Sequence, residues 1–162
     1  MVSAVEGLLA RSRAGGHRPS PLEAYRAAGH GVLLGDIRPA GQRAHGGGIP
    51  GALVIECNAL EWRIDPAGTH RIPQAESRDV EVVMVCSEGY ASSLAAASLR
   101  ELGLARATDL VGGFLAWAAQ ELPTLTGPRP SVLPGDGGRV HEYAADPGWV
   151  VGSAGASAGA AS

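Results

Sequence analysis

The 162-residue chain contains no lysine, few aromatic residues and two cysteines. Its 13 basic residues are all arginine, and 16 acidic residues give a formal net charge of −3. Because the chain has no basic run, the composition argues against nucleic-acid binding. Two cysteines cannot form a disulfide framework or, by themselves, a four-ligand zinc site. We therefore expect no metal and no other cofactor.

The sequence also lacks a long hydrophobic run. The apolar residues 8–10 lie behind the acidic Glu6 and are too few for a signal peptide or a membrane span. We therefore expect a cytoplasmic protein with no membrane partner, and the sequence leaves its oligomeric state open. The length is sufficient for one domain with a real core and too short for two comfortable ones.

Short apolar runs alternate along the chain with segments of helical spacing. The runs predict strands at 32–36, 52–55, 80–85 and 108–111. Helices are predicted at 2–14, 20–28, 92–102 and 113–120, with Ser20 as an N-cap. Since the runs show no polar alternation, they favour parallel strands covered on both faces, and the alternation with helices indicates an α/β fold.

Composition divides the chain into three parts. Residues 1–19 are predicted to form a helix and a linker, and residues 20–126 the folded domain. Residues 127–162 are rich in proline, glycine and alanine. Because such a segment buries too little apolar surface to offset its ordering entropy, we expect this tail to be largely disordered.

Cys86 is the candidate reactive residue. The third predicted strand delivers it to the carboxyl edge of the sheet, where open α/β proteins bind ligands. A short glycine-containing loop then leads into a helix, and backbone N–H groups at a helix N-terminus favour a thiolate over a thiol. A buried cysteine packed as a small hydrophobic residue is the alternative, and spacing alone leaves both interpretations open.

Several segments resemble, in the right order, the rhodanese (thiosulfate sulfurtransferase) family. They are the Asp-x-Arg end of the first strand at 36–38, Ile-Pro-Gly-Ala at 49–52, a six-residue loop that begins at Cys86, Leu-x-Gly-Gly-x-x-x-Trp at 110–117 and Leu-Pro at 122–123. The resemblance covers about residues 20–124 and implies a three-layer sandwich with a mostly parallel five-stranded sheet between helices.

The resemblance also implies a chemistry for Cys86. The thiolate takes a sulfane sulfur from thiosulfate or a persulfide and passes it to a thiol, a cyanide-like acceptor or a sulfur-acceptor protein, which is covalent catalysis in two displacements. The loop amides would hold the negative charge of the terminal sulfur, so the substrate-binding residues predicted with it are Ser87, Glu88, Gly89, Tyr90, Ala91 and Ser92.

Some positions depart from the family pattern or have two interpretations. Family loops often carry an arginine where this chain has Ala91, and Glu88 adds an acid that could repel an anionic donor or point into solvent. Asp36 and Arg38 are predicted to brace the active loop, the alternative being an ordinary surface pair. Cys57 could resolve a Cys86 persulfide into a disulfide, or it could be a buried structural residue.

Two rival functions share the fold that the resemblance implies. A cysteine phosphatase of the Cdc25-like kind would need an arginine at Ser92 to bind phosphate, which argues against that activity. A catalytically weak or silent rhodanese module for protein binding or redox and sulfur sensing is the stronger rival. The absence of the loop arginine favours it, and the presence of Cys86 and Gly89 argues against it.

Overall fold

Helices and strands alternate along the chain in the computed structural model, which describes residues 1–125 and the backbone of 139–142 and 152–155. The helices are α1 (Ala4–Arg13), α2 (Pro21–Ala28), α3 (Ala40–Gly46), α4 (Leu60–Ile64), α5 (Ala91–Glu101) and α6 (Gly113–Ala119). The strands are β1 (Leu33–Asp36), β2 (Leu53–Val54), β3 (Val82–Val85), β4 (Ala107–Asp109), β5 (Arg139–Glu142) and β6 (Gly152–Gly155).

The strands form one sheet in the order β4-β3-β1-β2-β6-β5. The first four strands of that order are parallel, whereas β6 pairs antiparallel with β2 and with β5. The parallel α/β fold is therefore confirmed, but the described residues contain four parallel strands where five were expected. A two-stranded antiparallel ribbon occupies the edge beside β2 instead.

That ribbon lies within the segment for which we expected disorder. Backbone pairing of β5 with β6 runs from Arg139 opposite Gly155 to Glu142 opposite Gly152. Ladder hydrogen bonds can order backbone that has little side chain to bury, and the expectation of a largely disordered tail stays a prediction. The remainder of 126–162 lies outside the described residues.

Both faces of the parallel sheet are buried, as the continuous apolar runs predicted. In β3, Val82 and Met84 belong to a core cluster that also contains Leu99 of α5, whereas Val83 and Val85 face a second cluster. The second cluster includes Trp117 of α6, whose Nε1–H donates to the carbonyl oxygen of Pro123 at 2.9 Å. Helices therefore cover both faces, which gives the expected three layers.

The four predicted helices and four predicted strands are present, with boundaries displaced by up to two residues. The Ser20 cap is also present, because its hydroxyl accepts the N–H of Glu23. The sequence reading missed α3 and α4. Helix α3 has no buried residue and α4 is five residues long, so neither has an apolar stripe long enough to show a helical period.

Helix α1 packs against α5. Its first turn has a capping box, in which Ser3 and Glu6 each accept the other's backbone N–H. Within the described part of the chain, no helix is long and apolar enough to cross a membrane.

Candidate active site

Cys86 follows β3 directly and lies at a cavity of about 720 Å³. The residue is 7% exposed. Its Sγ accepts the backbone N–H of Gly89 at 3.1 Å and lies 3.1 Å from Oγ of Ser92 in the first turn of α5. A sulfur with a backbone amide and a hydroxyl directed at it is placed to carry negative charge, and the adjacent cavity leaves room for a reactant.

Two backbone N–H groups that follow the Gly112–Gly113 turn bind the backbone of the Cys86 loop. Phe114 N–H donates to the carbonyl oxygen of Cys86 at 2.8 Å, and Leu115 N–H donates to that of Ser87 at 3.0 Å. Both glycines have positive φ, and a Cβ on Gly113 would collide with the Cys86 carbonyl. The Gly-Gly pair is therefore needed for close approach of α6 to the loop as well as for the strand-to-helix turn.

Gly89 is held in a conformation and a space that admit only glycine. Its φ is +84°, and a Cβ there would lie 2.9 Å from the backbone nitrogen of Gly112. We therefore expect Gly89→Ala to lower the free energy of unfolding by about 2 kcal/mol or more and to displace the amide that contacts Sγ. Thermal denaturation checks the first effect and the alkylation rate of Cys86 the second. Gly41→Ala, where a Cβ meets open space, is the matched control, and equal behaviour of the two variants would contradict the prediction.

The predicted loop residues divide between the cavity wall and the layer beneath it. Glu88, Tyr90 and Ala91 are exposed and line the cavity together with Ser87, whose hydroxyl donates to Oε1 of Gln42 at 2.6 Å. Ser92 and Gly89 are buried. The remaining lining residues are Ile37, Arg38, Pro39, Gln42, Glu56, Cys57 and Asn58, with Cys86 itself. Of the six predicted residues, four thus lie in the wall of the cavity that Cys86 also lines, and Gly89 and Ser92 contact the sulfur.

Asp36 and Arg38 form a buried pair, so the surface-pair interpretation is wrong. Their side chains are 1% and 2% exposed, and Arg38 donates from Nε and an Nη to both carboxylate oxygens of Asp36. The same Nη donates to the carbonyl oxygen of Gly47 at 2.8 Å, and the guanidinium lies 3.8 Å from the centre of the Phe114 ring. The pair thus links the end of α3 to α6 at the cavity wall, and bracing of the loop by this pair stays a prediction.

Cys57 lines the same cavity as Cys86 and is exposed, so the buried structural interpretation is wrong. It begins a short 3₁₀ turn after β2, at the carboxyl edge of the sheet. Partial burial raises the pKa of the Cys57 thiol, and the charges of Glu61 and Cys86 raise it further. At neutral pH Cys57 is therefore held as the less reactive thiol form.

Sequence reasoning missed a polar network on the opposite side of the loop. Asp109, at the end of β4, is 2% exposed and accepts hydrogen bonds from the hydroxyls of Ser92 and Ser93 at 3.3 and 2.9 Å. Arg18 pairs with both Asp109 oxygens at 2.9 Å, which raises the pKa of Arg18. The two residues are far apart in sequence and carry no local motif, although a lone acid ending an apolar strand is a signal that could have drawn attention to Asp109.

The Ser92 hydroxyl connects this network to the sulfur. It has one hydrogen, which it can give either to Asp109 or to Cys86 Sγ. When Cys86 is a thiol, its S–H can donate to Ser92 while Ser92 donates to Asp109. When Cys86 is a thiolate, the Ser92 hydrogen can turn to Sγ. The arrangement can therefore serve both protonation states without leaving a buried polar atom unpaired.

Solved structures share this architecture. A protein of unknown function from Rhodopseudomonas palustris, described as a possible tyrosine phosphatase, is 25% identical with a TM-score of 0.69 over 76% of this chain and 96% of that one. Thiosulfate sulfurtransferase from Pseudomonas aeruginosa is 26% identical with a TM-score of 0.54 over 68% of this chain and 19% of that one. In this chain Ser92 contacts the sulfur at the position where a phosphatase would need its arginine, which disfavours phosphatase chemistry.

Two sequence comparisons agree on the family. A protein named sulfurtransferase from Allochromatium vinosum is 37% identical over 92 residues, which are 57% of this chain and 77% of that protein. The family model for the rhodanese-like domain matches residues 20–120, and this range contains Cys86, Asp36, Arg38 and the Gly-Gly turn. The chain therefore belongs to the rhodanese-like domain family.

Proposed function

We propose that the protein is a sulfurtransferase in which Cys86 carries a sulfane sulfur as a persulfide. The observation that carries the proposal is the placement of Cys86 Sγ between the Gly89 amide and the Ser92 hydroxyl, beside an open cavity. Family membership and the sulfurtransferase relative support sulfur transfer in general. The acceptor in this proposal is a thiol or a cyanide-like nucleophile, including a thiol on an acceptor protein.

The reaction is two displacements at sulfur. The Cys86 thiolate attacks the outer sulfur of a donor R–S–SH, forming Cys86–S–SH and releasing R–S⁻ as the donor S–S bond breaks. An acceptor thiolate R′–S⁻ then attacks the same outer sulfur, forming R′–S–SH and regenerating the Cys86 thiolate. One S–S bond breaks and one forms in each step, so no external oxidant or reductant is required.

The charges around the cavity favour a persulfide donor over thiosulfate. Among the described residues, the charged side chains that line the cavity are Glu56, Glu88 and Arg38, and Arg38 is paired with Asp36. A dianion such as thiosulfate therefore meets two acids and no unpaired arginine. The volume of about 720 Å³ also fits an organic donor better than a five-atom inorganic ion.

Donor charge provides the test of this preference. We expect weak thiosulfate:cyanide activity in the wild type, and Glu88→Gln should raise it several-fold, since relief of about 1 kcal/mol of repulsion corresponds to roughly fivefold. Ala91→Arg should raise it as well, because the new cation lies on the cavity wall. Steady-state kinetics at low and high salt measure both gains, which should shrink as salt screens the charges.

Matched controls isolate the charge at the cavity. Glu101→Gln removes an exposed acid from the last turn of α5 and should leave the rates unchanged. Persulfides of cysteamine and of 3-mercaptopropionate, which differ in charge and little in size, should load Cys86 in that order of rate, with the difference reduced in Glu88→Gln. Efficient thiosulfate turnover by the wild type that Glu88→Gln does not change would contradict the donor assignment.

A second candidate is a rhodanese module that binds a protein or senses sulfur and turns over weakly or not at all. Ala91 in place of the family's arginine favours it, and so does the exposed Tyr90 at the rim of the cavity. Cys57 in the wall of the same cavity would give such a sensor a second thiol. Sulfur loading of Cys86 without passage to any thiol or cyanide acceptor would favour this candidate.

A further inference from the structure

We propose that the N-terminal segment 1–19, which precedes the family match at 20–120, is part of the active site. Arg18 and Arg13 of this segment are positioning residues. They hold the Cys86 loop and supply the positive charge that the loop itself lacks. The proposal uses the proposed function only in taking Cys86 as the reactive thiol.

Arg18 makes the central contacts. Its Nε and one Nη donate to the two carboxylate oxygens of Asp109 at 2.9 Å each, and the same Nη donates to the carbonyl oxygen of Gly89 at 3.3 Å. Bidentate pairing fixes the plane of the guanidinium as well as its distance. Arg18 thus contacts both the acid behind Ser92 and the carbonyl of Gly89, the residue whose own N–H contacts Sγ.

Arg13 contacts the loop from the last turn of α1. It donates from an Nη to the carbonyl oxygen of Gly89 at 2.9 Å and from Nε to the hydroxyl of Ser93 at 3.0 Å. Its guanidinium also lies 5.5 Å from the centre of the Tyr90 ring, within the range of a cation–π contact. One loop carbonyl therefore receives hydrogen bonds from two arginines, and neither arginine lies within 20–120.

The segment is attached to the domain independently of these two side chains. The Thr108 hydroxyl donates to the carbonyl oxygen of His17 at 2.8 Å, and Val111 N–H donates to that of Pro19 at 3.0 Å. An Nη of Arg100 donates to the carbonyl oxygen of Ser12. These bonds involve neither the Arg13 nor the Arg18 side chain. Replacing either side chain therefore tests its contribution to the loop separately from docking of the segment.

The second effect of Arg18 is electrostatic. The guanidinium bonds with Asp109, whose carboxylate accepts the hydroxyl of Ser92, and with the carbonyl of Gly89, and both Ser92 and Gly89 contact the sulfur. The hydrogen bond with Asp109 raises the pKa of Arg18, so the guanidinium stays charged. Other charged or titratable groups also lie near Cys86: Arg13, Asp109, the Asp36–Arg38 pair, Glu56, Glu88, Tyr90 and Cys57. Since Arg38 is paired with Asp36, loss of Arg18 removes the ion-pair partner of Asp109 and increases the excess of acids over arginines around Cys86.

The experiment measures the reactivity of Cys86 without using sulfur transfer. In a Cys57→Ser background, the iodoacetamide alkylation rate is compared for the parent, Arg18→Gln, Arg18→Lys and the control Arg11→Gln, which removes an exposed arginine of α1. We expect Arg18→Gln to slow alkylation about fivefold at about pH 6 and little at about pH 10, a pH above the ordinary range of cysteine thiols. Arg18→Lys should recover part of the rate because it restores the charge without the bidentate pair.

Two patterns of alkylation rates would overturn the proposal. Equal rates in the parent and Arg18→Gln would show that the arginine does not act on Cys86. Equal slowing at both pH values, or the same loss in Arg11→Gln, would show a merely structural role. If Arg18→Gln does not fold, Arg13→Gln is examined by the same criteria, with about twofold slowing at the lower pH expected. Failure of Cys86 to accept sulfur while the alkylation pattern holds would refute the proposed function and leave this inference intact.

Discussion

Cys86→Ser should abolish sulfur loading. Intact-mass spectrometry of the wild type after exposure to a persulfide donor should show a gain of one sulfur that disappears on reduction. The variant should show no gain, because its hydroxyl is far less acidic than a thiol and is not a comparable nucleophile at neutral pH. The substitution replaces a buried sulfur with an oxygen that can still form hydrogen bonds with the Gly89 amide and Ser92. We therefore expect the fold to be retained.

Cys57→Ser is the matched control for this experiment, since the second thiol lines the same cavity. It should load one sulfur like the wild type, because the raised pKa of Cys57 keeps that thiol protonated at neutral pH. Loading that persists in Cys86→Ser and is lost in Cys57→Ser would show that Cys57 carries the sulfur and would contradict the assignment of Cys86. If no donor loads the wild type, the enzyme proposal is wrong and the binding module takes its place.

Asp36→Asn should be the most destabilising of the substitutions considered. It leaves the guanidinium of Arg38, 2% exposed, without its carboxylate, and removal of one partner of a buried pair costs about 3–5 kcal/mol. The melting temperature should fall by about 10 °C or more. Because Arg38 also bonds with Gly47 and stacks on Phe114, the loss should loosen the contact between α3 and α6 and reduce sulfur loading at temperatures where the variant is still folded.

Two variants give this prediction its control. Asp79→Asn removes an exposed acid and should change the melting temperature by no more than about 2 °C. The double replacement Asp36→Leu with Arg38→Met removes both charges and should recover much of the lost stability, since an apolar pair of similar volume avoids the desolvation cost. A melting temperature of Asp36→Asn equal to that of the wild type would show that the pair contributes nothing to the fold.

Local pattern was sufficient for most of the fold and for the position of Cys86, the thiol that we propose to be reactive. The apolar runs located β1 to β4, since strands buried on both faces must be apolar at successive positions. The motif around Cys86 located the loop, because a strand, a tight glycine turn and a helix are specified by neighbouring residues.

Tertiary structure decided what surrounds that thiol. Arg18 meets Asp109 and Arg13 meets Gly89 only because α1 packs on α5 and β4 lies next to β3, and contacts between such distant positions leave no periodic signal in the sequence. For Cys57 the sequence left a resolving cysteine and a buried structural residue both open, and only the structure shows it exposed in the wall of the Cys86 cavity. The sequence alone thus pointed to Cys86 as the candidate nucleophile, because its local setting is encoded by adjacent residues. The structure determined which charges it meets, because those charges come from separate elements that folding brings together.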